Sequence, residues 1–216
     1  MKKLVFLFVA VVASYAAQAQ SSFGIKGGLN YSNLSGDLQN EERFNNKIGF
    51  NAGVYFNAPI AGDFFSIQPE VLYSNKGYKY DDKVETTLLG TEYRYEGTSN
   101  FNYIDVPVLA RVKASSFFFE AGPQVSYLVS VNDKTKQYRN GQLEDRTVSE
   151  RSKSGYSDFE VGYAAGLGFA TANGFSLGLR YNGAFTDLVE DTKVRGEFKD
   201  ARHSSFLLSV GFPLSK

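Results

Sequence analysis

The chain has 216 residues, 23 basic and 23 acidic, with no cysteine, no tryptophan, and many phenylalanines, tyrosines and glycines (19, 14 and 21). The balanced charge offers no electrostatic footprint for nucleic acid, and the missing cysteines exclude disulfides and thiolate metal sites. Beyond the first twenty residues no apolar run is long enough for a transmembrane helix, so any membrane-spanning structure must be a closed barrel.

The opening segment reads as a secretory signal. Lys2 and Lys3 form a positive start, 4–17 an apolar core, and Ala17-Gln18-Ala19 supplies the small residues a signal peptidase reads. Cleavage is expected after Ala19, which divides the chain into a signal peptide, 1–19, and one domain, 20–216. Losing Lys2 and Lys3 takes the 23 basic residues to 21.

From there apolar and polar residues alternate with a period of two, the mark of strands lying between two environments. The first segment sets Phe23, Ile25, Leu29 and Tyr31 against Gly24, Lys26, Gly28 and Asn30. The second sets Ile48, Phe50, Ala52, Val54 and Phe56 against Gly49, Asn51, Gly53 and Asn57. In the third, Phe65, Ile67, Val71 and Tyr73 oppose Ser66, Gln68, Glu70 and Ser74. In the fourth, Ile104, Val106, Val108, Ala110 and Val112 oppose Asp105, Arg111 and Lys113. The fifth opposes Phe117, Phe119, Val125, Tyr127 and Val129 to Glu120, Gly122, Gln124, Ser126 and Ser130. The last three carry apolar rows from Phe159 to Phe169, Phe175 to Tyr181 and Phe206 to Phe212, with Glu160, Arg180 and many glycines and serines opposite.

Short links at 58–63, 114–116 and 171–174 alternate with long polar links at 35–46, 78–100, 132–157 and 186–203. This predicts an all-β, eight-stranded antiparallel transmembrane β-barrel with short periplasmic turns and four long extracellular loops, integral to a bacterial outer membrane. Phe23, Phe56, Phe65, Phe117, Phe169, Phe175 and Phe212 supply an aromatic girdle at the short-turn ends, and Tyr31, Tyr73 and Tyr127 one at the other rim. The apolar parity carries no charge, whereas the polar parity is mostly Gly, Ala, Ser and Asn, as a narrow lumen requires. The apolar side therefore faces lipid and lipopolysaccharide.

The lumen parity also holds Lys26, Glu70, Arg111, Glu120, Glu160 and Arg180. Three cations and three anions on six strands predict a cross-lumen ion network, structural in role, that plugs the tube. Pro69, Pro107 and Pro123 fall inside strands, where a closed barrel has no edge to hide a missing donor, so bulges or locally broken ladders are expected. Tyr103 stands off the apolar parity beside Ile104, which predicts a bulge there.

The run Ile67-Gln68-Pro69-Glu70-Val71-Leu72-Tyr73-Ser74-Asn75-Lys76-Gly77 resembles the third-strand motif of the PorT-like outer-membrane β-barrels of Bacteroidetes. Tyr103-Ile104-Asp105-Val106-Pro107-Val108-Leu109 is similar to their fourth-strand motif, and Ala121-Gly122-Pro123 with Tyr127-Leu128 to their fifth. Gly24-Ile25-Lys26-Gly27-Gly28-Leu29-Asn30 fits the opening strand. The resemblance implies an eight-stranded outer-membrane barrel, treats the prolines as family features, and carries an association with protein secretion and gliding.

Three functional expectations follow. The first is a non-enzymatic scaffold, without cofactor or metal, whose loops or periplasmic rim bind envelope or secretion-machinery partners. The second is a lipid-A-modifying enzyme using His203, the single histidine, with Ser204 as nucleophile and Glu197 or Asp200 orienting the imidazole. The third is a small pore. Asp81, Asp82 and Glu85 form a candidate divalent-cation cluster whose plainer reading is a solvated loop.

Overall fold

The computed structural model describes residues 21–36, 44–86, 92–150, 152–189 and 200–214, without the side chains of 81–86, 92–93 and 144–150. The expected signal segment, Glu197 and the side chains of Asp81, Asp82 and Glu85 lie outside the described residues. Among the described residues there are nine antiparallel strands: β1 (Ser22–Ser35), β2 (Phe44–Ala61), β3 (Phe65–Thr86), β4 (Glu92–Ala114), β5 (Phe117–Arg139), β6 (Gln142–Glu150), β7 (Phe159–Ala170), β8 (Ser176–Ala184) and β9 (Arg202–Pro213). Eight of them close a ring, β1 through β5, then β7, β8 and β9, which returns to β1.

The additional strand corrects the expected loop at 132–157. β6 pairs with β5 between Asp133 and Arg139, beyond Tyr127, where β7 leaves β5. The link expected at 78–100 is likewise strand as far as Thr86 and again from Glu92. Strands of ~9–11 tilted residues suffice to span a bilayer, so β3, β4 and β5, at 22, 23 and 23 residues, rise well above it. Along 132–139 of β5 every residue is at least partly exposed, so neither face is fully buried there. The apolar–polar contrast fades although the backbone ladder continues, and for that reason these segments look like loops in sequence.

Within the membrane the alternation sorts cleanly. Leu29, Phe50, Val125, Leu179 and Leu208 project outward and are exposed, while Lys26, Asn51, Gln124, Arg180 and Ser209 on the same strands are buried. Lipid makes that outward exposure favourable, and a long ion on that face would be costly. Aromatic pairs mark both boundaries. Phe117–Phe169 and Phe175–Phe212 meet at 5.9 and 5.1 Å near the short turns, and Tyr127–Phe159 and Tyr181–Phe206 at 5.2 and 5.1 Å near the outer rim.

Pro69, Pro107 and Pro123 interrupt the ladder without shifting it. Between β3 and β4 the pairing stops at Pro69↔Val108 and resumes in the same register at Leu72↔Asp105. Between β4 and β5 it stops at Pro107↔Gln124 and resumes at Ala110↔Ala121. A missing amide donor thus costs hydrogen bonds and leaves the facing of side chains intact. A bulge does occur beside Tyr103: Asn102 pairs with Ser130 but Tyr103 with Leu128, making Val129 the extra residue on β5. Tyr103 itself stays in regular inward alternation with Phe101, Asp105 and Leu109, all fully buried. Its side chain is an interior aromatic.

The outer end of the tube is closed by an apolar cap. Leu34, Phe101, Tyr103, Leu128, Val131, Leu188 and Val189 pack into one buried cluster. A bridge between Tyr156 and Val189 and the hydrogen bond from Ser157 N to Leu188 O draw the loop bases onto it.

Candidate functional site

Two buried charge clusters fill the lumen below that cap. In the lower one Arg180, from β8, is held by two carboxylates. Its Nη1 and Nη2 donate to Glu70 Oε2 and Oε1 at 2.8 and 2.9 Å, and its Nε and Nη2 to Glu120 Oε1 at 2.8 and 2.6 Å. Lys26 Nζ reaches Glu70 Oε1 at 2.6 Å, and Gln68 Nε2 donates to the same oxygen at 2.7 Å. The planar guanidinium suits this task, because its fork of donors satisfies both acids at once.

Arg111 completes the lower cluster from the periplasmic side. Its Nη1 donates to Gln68 Oε1 at 3.0 Å, and its guanidinium lies 3.6 Å from the Phe118 ring centroid. Phe118 points inward only because the facing position is glycine: a Cβ at Gly168 would stand 2.3 Å from that ring. Arg111 Nε approaches Glu120 Oε2 at 3.3 Å, yet neither atom forms a hydrogen bond.

Glu160 belongs to a separate, upper cluster. There Lys76 Nζ meets Asp105 Oδ1 at 2.9 Å and Glu160 Oε1 at 3.5 Å, and Glu160 Oε2 bonds His203 Nδ1 at 2.9 Å. His203 packs edge-on against Phe101 and Tyr103, at 4.9 and 5.5 Å between centroids. The six residues expected to form one network are therefore split, five low and one high. Lys76 and Asp105, both fully buried, were not among them, nor was buried Lys47, which donates to Asn75 Oδ1. Lys76 and Lys47 continue the inward parity of their strands past the ends of the apolar rows, and that continuation is the signal which could have found them, while Asp105 stands on the polar parity inside the fourth row.

The constellation proposed around His203 is not assembled. His203 and Ser204 are consecutive in β9 and take opposite faces: the imidazole is buried and the hydroxyl lies on the Tyr181 side of the wall. No contact joins His203 to Asp200, and His203 Nε2 has no hydrogen-bond partner among the described residues. Glu160 supplies the carboxylate instead. Among the described residues no cluster of His, Asp and Glu is placed to hold a metal ion.

Beneath the lower cluster a cavity of about 600 Å³ opens between the periplasmic turns. Arg111, Lys113, Gln68, Tyr55, Asn57 and Asp63 line it, with the turn 171–174 on the far side. A hydrogen-bonded line runs inward from its wall, from Asn57 to Gln68 at 3.1 Å and on to Glu70.

A ring of antiparallel strands with a lipid-facing apolar belt, two aromatic girdles and a salt-bridged lumen defines an integral outer-membrane barrel. The family model of the outer membrane protein beta-barrel domain matches residues 16–190, and the chain belongs to that family. No curated protein sequence matches it. Among solved structures it is similar to Neisserial surface protein A, at 16% identity and a TM-score of 0.46 over 89% of this chain and 97% of that one. It is also similar to Ail, the attachment invasion locus protein of Yersinia pestis, at 15% identity and a TM-score of 0.43 over 90% and 99%. A third is the outer membrane enzyme PagL, at 11% identity and a TM-score of 0.39 over 90% and 99%.

Proposed function

We propose that this protein is a non-enzymatic scaffold of the outer membrane, whose periplasmic rim binds other components of the envelope. The observation that carries this reading is the contrast between the two ends of the tube. The outer end is sealed by the apolar cap, the middle is filled by interlocked ion pairs, and the periplasmic end opens into a polar cavity. A pore would need the middle cleared, and eight strands leave no spare width once such side chains meet. Against an enzyme stands the burial of His203 with no hydroxyl on its free nitrogen. The finer family reading, the PorT-like barrels of Bacteroidetes, rests on the motif residues at 67–77 and 103–109, and with it comes an association with secretion. The signal peptide belongs to the same reading.

The test is site-specific photocrosslinking in intact envelopes, with the probe at Asp63 or Asn173 on the periplasmic turns and at Asn140 on the outer β5–β6 hairpin. Protein adducts from the turn positions are expected. Envelopes in which neither turn probe gives an adduct would sink the proposal.

A further inference from the structure

The lower cluster is not electrically closed. Lys26, Arg111 and Arg180 bring three positive charges, and Glu70 and Glu120 two negative ones. The excess sits on the side nearest the mouth, since Arg180 and Lys26 each donate hydrogen bonds to carboxylates whereas Arg111 donates a single hydrogen bond among the described residues, to Gln68, and meets Glu120 only as an ion pair at 3.3 Å. Lys113, two residues on and on the same inward parity, lines the same cavity without an ion pair of its own among the described residues. A cation held out of water without a full set of acceptors is costly. A guanidinium fixed by ring stacking and one amide contact also keeps its remaining donors oriented, a ready geometry for an oxyanion.

We infer that the periplasmic mouth is an anion-binding site, in which Arg111 and Lys113 receive a carboxylate or phosphate group carried by a periplasmic ligand. At about 600 Å³ the cavity has the size of a small-molecule pocket and far exceeds what a bare anion fills. Beyond the two cations the walls carry one carboxylate, Asp63, among neutral polar residues such as Ser22, Asn57, Ser66 and Asn173. The ligand is therefore a small oxyanion-bearing molecule with a polar body, of the kind presented by the free C-terminus of a short peptide or by a sugar phosphate. This deepens the proposed function by giving the periplasmic rim a chemical preference, and it rests on that reading only for the carrier of the anion.

The experiment is calorimetric titration of the purified barrel in detergent micelles at low salt, with trialanine, trialanine amide and inorganic phosphate. Trialanine is expected to bind at least tenfold more tightly than its amide, and R111Q and K113Q each to weaken it at least tenfold. Phosphate competing with trialanine identifies the shared anion subsite, and a stronger response to phosphate than to trialanine points to a phosphorylated carrier. Lys113 makes no ion pair among the described residues, so K113Q keeps the test meaningful even if R111Q folds poorly. Equal binding of acid and amide, no binding of any probe, or full affinity in K113Q overturns the inference. Crosslinks from the turns that persist in such a case leave the scaffold reading standing and remove only the anion site.

Discussion

The two charge clusters of the lumen solve the same problem in different ways. Near the periplasm one arginine satisfies two glutamates through four short contacts, with Lys26 and Gln68 adding two more to Glu70 Oε1. Toward the outer rim Lys76 bridges Asp105 and Glu160 more loosely, and Asp105 Oδ2 and His203 Nε2 have no hydrogen-bond partner among the described residues. The lower cluster holds together by its own geometry. The upper one is kept by what covers it, because the apolar cap above excludes the water that would otherwise compete for its charges. Integrity at one level is polar and at the other hydrophobic.

Removing the shared arginine should break this contrast most severely. Arg180→Ala strands two buried carboxylates, and loss of one partner of a buried ion pair costs about 3–5 kcal/mol. Urea unfolding of the barrel in lipid vesicles reads it directly. Lys76→Ala should cost less, since fewer contacts are lost. Equal losses would mean that the two clusters are not built differently after all. The cap comes next: Leu128→Ala, at a fully buried position, should cost about 2–5 kcal/mol and loosen the upper cluster beneath it. A double variant with Lys76→Ala should then be non-additive, whereas Leu128→Ala with Arg180→Ala should add. On the lipid face, Leu208→Arg should cost about 2–4 kcal/mol.

His203→Ala sharpens the comparison chemically. It removes a hydrogen bond to a charged group, about 1.5–3 kcal/mol, and should leave the lipid A of the host unchanged. A change in lipid A composition that depends on His203 would instead restore the enzymatic reading and put a reactive group inside the upper cluster.

How far all this could be read in advance follows the same division. Alternation announces which side of a wall a residue faces, and it located Lys26, Glu70, Arg111, Glu120 and Arg180 because lipid on the other face keeps the contrast strong across the membrane. It says nothing of height. Glu160 shares the parity of the lower five but stands a cluster higher, a fact fixed by strand tilt and register rather than by period. Lys76 lies past Tyr73, where the apolar row ends and the contrast weakens, whereas Asp105 is legible on the polar parity between Ile104 and Val106 and only its partner on the neighbouring strand is not. Tyr103 looked misplaced because a bulky ring was not expected inside, yet the cap needs one. The pairing of His203 with Glu160, 43 residues apart, depends on β7 and β9 flanking β8, and no local pattern carries that.

The smallest effect belongs to the outermost layer, and it bounds the comparison. Lys153, in the loop after β6, donates to Asp158 Oδ1 and to Leu128 O, both at 2.8 Å, and its ammonium lies 5.0 Å from the Tyr127 ring centroid. The hydrogen bond to Asp158 raises its pKa above the ordinary 10.5, with the Asp158 charge and the Tyr127 ring adding to the effect. A cation favoured in the folded state contributes fully below the unfolded value and is lost as the pH rises through the folded one. The loop's tether should thus be constant across the neutral range and weaken only above pH 10.5. Lys153→Met should speed amide exchange in 152–158 and leave the unfolding midpoint of the barrel where it was, since exposed pairs contribute little. If the midpoint falls by as much as it does for Leu128→Ala, the boundary between cap and loop has been drawn in the wrong place. The hydrophobic closure of the outer end would then extend into the charged loops.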